Sequence, residues 1–225
     1  MSEAEEVEEK VSEIIRNSDR NRAIQAMMTD GEQLKTFYRF VANNPHIPLH
    51  DACQIVIARP SVSVCFSFEE WNAQGRRVTK GRKGISYYDG DGNKYFVFDV
   101  TDTHGENRYR RAAQPVKKIL DGLDLLNGTE IADSNRGDYR IMLSGVVTYL
   151  GQNDFLTEND EIRNRLIAEG VAYSLYSTTG FPKERGVTLK GYPYGLNENA
   201  DLFREVQKAV EVLQQDINDA IYNKQ

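Results

Sequence analysis

FSFEEWNAQGRRVTKGRKGISYYDGDGNKYFVFDVTDTHG, residues 66–105, is the stretch on which the fold of this chain turns. Two Asp-Gly pairs and Asn93 separate an apolar run opening at Ile85 from a second run, Tyr95 to Val100, which is the pattern of a β-hairpin. Antiparallel pairing of residues 84–88 with 94–100 is therefore expected. The two-residue period of a strand puts Ile85 and Tyr87 on one face and Tyr88 on the other, so at most one of Tyr87 and Tyr88 lies on a binding face. Just before the hairpin, Arg76, Arg77, Lys80, Arg82 and Lys83 crowd among Gly75, Gly81 and Gly84 with no acid between them. Arg108, Arg110 and Arg111 follow the second strand, and a strand returning toward the start of the first brings these two basic runs together at one end of the hairpin.

Working outward, Val62, Val64 and Phe66 alternate with small polar residues through Ser61–Ser67, the period of a half-buried strand. A short helix around Phe68, Trp71 and Ala73 follows, with Glu69 and Glu70 in its first turn and Gly75 at its end. Trp71 reads as a core residue rather than a stacking surface, because it shares an apolar pattern with Phe68. Upstream, Leu49, Ala52, Cys53, Val56 and Ile57 share a helical stripe that competes with a short β-branched strand and is closed by Pro60. A helix from about Asp30 to Asn43 carries Leu34, Phe37, Tyr38 and Val41, and an amphipathic helix with an acidic start opens the chain around Val7, Val11, Ile14 and Ile15.

Downstream of the hairpin the pattern turns helical. Pro115–Leu126 shows one apolar side, and a short strand is expected over Tyr139–Tyr149, with a helix interrupted by Gly145 as the alternative. Thr157 and Asp160 precede a helix through Ile162, Leu166, Ile167, Val171 and Tyr173. Residues 187–195 have no assignable pattern. A long stripe from Leu202 to Ile221 predicts a final helix, capped by Asn197 or Asn199. The expected fold is a single α+β domain over residues 1–225: a small antiparallel sheet with a β-hairpin packed against several helices, with a helical lead over 1–58, a core at 60–105 and a mostly helical part over 115–225.

The 225 residues carry a formal charge of −6, but the distribution is uneven. Between Arg59 and Lys118 there are 12 lysines and arginines against 7 acids; the remainder holds 16 against 27. A basic centre between acidic flanks presents a local positive field that the average hides. Two cysteines, Cys53 and Cys65, are too few for a disulfide scaffold, no basic start leads into an apolar signal segment, and no stretch approaches a membrane span. A cytoplasmic protein without a membrane partner is expected.

The ordered set Pro60, Trp71, Gly75 with Arg76 and Val78, Lys80 with Gly81, Gly84 and Ile85, then Phe98, Asp99 and Val100, resembles the N-terminal single-stranded DNA-binding domain of ArdC-like antirestriction proteins and of LtrC-like proteins of mobile elements. The likeness covers Pro60–Gly105 and is looser outside it; Ala58 stands where glutamine is common in that family. It implies single-stranded DNA binding in a conjugation, mobile-element or antirestriction setting, with a host or mobile-element protein as a further class of partner. The zinc peptidase domain that some family members carry is not expected here, because HExxH is missing and His46, His50 and His104 are the only histidines.

The residues themselves fit that chemistry. Sequence-independent binding of a single strand needs cations along the phosphates and aromatic faces for the bases. Arg76, Arg77, Lys80, Arg82, Lys83, Arg108, Arg110 and Arg111 are the candidate cations; Tyr87 and Tyr95, with Tyr88 as a further candidate, are the aromatics. Gly81 and Gly84 are expected to let backbone N–H groups approach phosphate. Catalysis finds no comparable footing. The aspartates of DGDGN suit a turn, the later ligands of a calcium loop are missing, and no GxGxxG or Walker sequence occurs. No cofactor and no enzymatic activity are expected. The competing expectation is an interaction or inhibitor module whose acidic flanks engage a nucleic-acid enzyme.

Overall fold

A computed structural model describes residues 21–89, 92–105, 116–130, 139–179, 187 and 189–223. It is α+β. The helices are α1 (residues 21–29), α2 (Gly31–Asn43), α3 (Leu49–Ala58), α4 (Phe68–Ala73), α5 (Val116–Asn127), α6 (Tyr139–Gln152), α7 (Glu161–Ser177) and α8 (Leu196–Tyr222). The strands are β1 (Cys65–Phe66), β2 (Arg77–Val78), β3 (Ile85–Tyr88), β4 (Lys94–Asp99) and β5 (Thr103–His104). The amphipathic helix expected around Val7–Ile15 lies outside the described residues.

The antiparallel hairpin forms as its turn residues dictate. Ile85 faces Val97, Ser86 faces Phe96, Tyr87 faces Tyr95 and Tyr88 faces Lys94. At the turn, the Asp89 carboxylate accepts from the backbone and side chain of Asn93 at 2.8 and 3.1 Å, and Gly92 takes a φ of +85°. That positive φ is why glycine belongs there.

β1 adds to the other edge of β4, giving the order β1-β4-β3, while β2 and β5 form a separate two-stranded ribbon. The strand expected over Ser61–Ser67 shrinks to Cys65–Phe66 because side chains take over much of its backbone pairing. Asn44, buried at the end of α2, donates to the Ser63 carbonyl at 2.7 Å and accepts from Cys65 N–H at 2.7 Å. The Asp99 carboxylate accepts from Ser63 N–H at 2.6 Å. Trp71 is fully buried and donates its indole N–H to the Phe98 carbonyl at 2.8 Å, as a core tryptophan should. Its neighbour Phe68 is 47% exposed and does not share that core.

The remaining helices build a bundle in which α7 packs on α2, α6 and α8, and α5 packs on α6 and α8. α3 joins the two parts by packing on both β3 and α2. One apolar cluster consequently runs from Ile85 and Val97 through Ile55 and Phe37 to Leu213. The segment at Tyr139, expected as a short strand, is instead helical: Met142, Val146, Tyr149 and Leu150 are buried at helical spacing. Gly145 does not interrupt this helix, and its carbonyl accepts from Asn127 at 2.9 Å. α8 starts earlier than expected. The Glu198 carboxylate accepts Gly195 N–H, and Asn199 is buried inside the helix, bonding the Tyr194 carbonyl at 2.8 Å. Among the described residues, no helix is long and apolar enough to cross a membrane.

Candidate nucleic-acid interface

The basic segment is displayed on a tight turn that is fastened at both ends. Arg82 N–H bonds the Thr79 carbonyl at 3.1 Å, and Gly81, at φ +87°, takes the left-handed place that such a turn requires. Thr79 N–H in turn bonds the Asp102 carbonyl at 2.9 Å. On the far side, Arg59 donates to the Lys83 carbonyl at 3.2 Å and to the Asp102 carboxylate at 2.5 Å. Asp102 is buried and also lies 3.9 Å from the Arg82 guanidinium. Asp102 thus fastens both ends of the basic turn, Thr79 through its backbone carbonyl and Lys83 through the Arg59 side chain that its carboxylate holds.

The candidate cations divide. Arg77, Lys80, Arg82 and Lys83 are exposed. Arg77, Lys80 and Lys83 meet no carboxylate among the described residues, and Arg82 holds only its long contact with Asp102. Arg76 is different: it is 9% exposed, with its guanidinium bonded to the Thr103 hydroxyl at 2.8 Å and the Thr103 carbonyl at 3.0 Å. Its charge also lies 5.9 Å from the Trp71 ring centre. Those contacts turn its N–H groups inward and make it a strut between α4 and β5 rather than a phosphate ligand. Arg108, Arg110 and Arg111 lie outside the described residues. The chain is followed to Gly105, which packs against Gly75 and Arg76 beside the β2–β5 ribbon.

The aromatic candidates also divide. Tyr87 and Tyr95 are opposite one another and stacked, with ring centres 5.7 Å apart. They share the face of Ile85 and Val97, which turns toward the core, so Tyr87 is packed in and only Tyr95 is well exposed. Burial, aided by Asp51 and Glu70, pushes the Tyr87 phenol above its ordinary range. The opposite face carries Tyr88, Lys94 and Phe96. Phe96 is 50% exposed, and the Lys94 ammonium lies 5.2 Å from its ring centre and 5.9 Å from that of Tyr88.

Sequence reasoning missed three members of this arrangement: Arg59, Lys94 and Phe96. Arg59 follows a helix and looks like a solvated end, and only the tertiary structure brings it to Asp102. Phe96 was accessible in principle, since the hairpin register opposite Ser86 places it on the face away from Ile85. At Gly84 a Cβ would sit 3.2 Å from Phe96 Cβ and 3.1 Å from the Phe98 ring, so its missing side chain makes room for aromatic rings.

This geometry offers exposed positive charge on a fixed backbone, next to an exposed aromatic face. No family model, no curated protein and no solved structure matches the chain.

Proposed function

We propose that the chain binds single-stranded DNA with little sequence preference, through the turn that presents Arg77, Lys80, Arg82 and Lys83. The observation that carries this reading is that these four cations are exposed on a backbone pinned by Asp102 and Arg59. A pinned loop loses little freedom on binding, so more of the phosphate attraction survives as affinity. The likeness of Pro60–Gly105 to the ArdC-like and LtrC-like single-strand-binding domains supports the same reading, and with it a mobile-element or antirestriction role.

The test is a fluorescence-anisotropy titration of a labelled single strand of about 30 nucleotides and its duplex across a salt series, since phosphate contacts release counterions. The single strand should bind preferentially, with affinity falling steeply as salt rises. Changing Lys80 and Lys83 together to alanine should weaken all oligonucleotides alike and make the logarithmic salt slope shallower by about 1.4, at roughly 0.7 per lost contact on a single strand. Failure to bind either form at low salt refutes the reading and redirects the search to a protein partner.

A further inference from the structure

Phe96 is a large apolar side chain on a solvent-facing sheet surface, and its position is specific. Its ring approaches Gly84, where a Cβ would come within 3.3 Å of its Cδ1 atom, and Gly84 directly follows Arg82 and Lys83. The ring is therefore set at the foot of the basic turn. Lys94 lies over it and over Tyr88 across the ladder, so both aromatic residues have an ammonium beside them. A base has a π-face whatever its identity, and a nucleotide brings a phosphate with it. The ring and the ammonium above it match those two parts once the Lys94 side chain swings from the ring face to the phosphate and leaves that face to the base. The positive flank disfavours a second copy of the same patch as occupant, because like charges would face each other.

We propose that a base of bound single-stranded DNA stacks on Phe96, with Lys94 holding the adjoining phosphate and Tyr88 extending the surface. This rests on the single-strand reading above and names its base-binding face as the one opposite Tyr87 and Tyr95.

Wild type, Phe96→Ala, Phe96→Leu, Phe96→Trp and Tyr95→Ala are titrated with the same labelled single strand at several salt concentrations, with thermal unfolding as a check on folding. Alanine and leucine at 96 should each weaken binding about tenfold, in keeping with the loss of one stacked base. The salt slope should stay at the wild-type value, since no phosphate contact of the turn is removed. Tryptophan should restore affinity. Wild-type affinity in Phe96→Leu, or a loss confined to Tyr95→Ala, overturns the stacking proposal while the single-strand reading stands. A wild-type protein that binds no strand refutes the reading itself, and the stacking proposal falls with it.

Discussion

Asp99 shows how much one side chain decides in this region. Its carboxylate accepts from Ser63 N–H and hydroxyl at 2.6 and 3.0 Å and from Thr101 N–H and hydroxyl at 2.9 and 2.7 Å. Burial alone would raise its pKa, but these four hydrogen bonds outweigh that and hold the carboxyl below its ordinary value of 3.8. A carboxylate depressed on folding adds stability above its unfolded value, and that contribution is lost as the pH falls through the folded value. The urea midpoint of the wild type should therefore drop more steeply between about pH 5 and about pH 2 than that of Asp99→Asn, which should already be weaker at neutral pH. Parallel profiles would show that Asp99 does not couple protonation to folding.

At the scale of elements, the segment 189–195 has no regular structure yet is fixed to the C-terminal half of α1 and the first residue of α2. Tyr192 N–H bonds the Met28 carbonyl at 2.8 Å, and Gln25 donates to the Tyr194 carbonyl at 2.9 Å. Two glycines permit this approach. A Cβ at Gly31 would lie 2.0 Å from the Leu189 carbonyl oxygen, and one at Gly191 would lie 1.8 Å from that of Thr29. Backbone cannot yield as a side chain does, so Gly191→Ala should cost about 2–3 kcal/mol, like other overpacked substitutions. Chemical denaturation measures it, and a change under about 0.5 kcal/mol would mean that this segment moves aside freely.

For the whole molecule, the continuous apolar cluster predicts that sheet and bundle unfold as one unit. Cys53 on α3 and Cys65 on β1 report on this, since both are buried in that cluster. Burial, with help from Asp51, pushes the Cys53 thiol up to about 12; burial, with Asp99 next, also pushes Cys65 up. Neither is a ready nucleophile near neutral pH, because the thiolate is the reacting form. Both should be labelled by a thiol reagent only through unfolding, with the same opening free energy as global denaturation. Faster labelling of Cys53 in native buffer would show that α3 opens on its own.

The hairpin, its turn and most helices were fixed by local chemistry: Asp-Gly turn residues, Pro60 after α3, and apolar stripes at helical spacing. The positively charged turn was equally legible, because charge and glycine placement are local properties. Tertiary structure alone decided what those residues face. It turned Arg76 inward onto Thr103, recruited Arg59 to Asp102, set Gly84 against Phe96 and made a helix of Tyr139–Gln152 despite its β-branched residues. Spacing tells which residues share a face, whereas solvent exposure depends on partners distant in the chain. That is why the sequence determined a basic hairpin in an α+β fold, and only packing could decide that Phe96 and Lys94 stay exposed while Tyr87 is half-buried against the core.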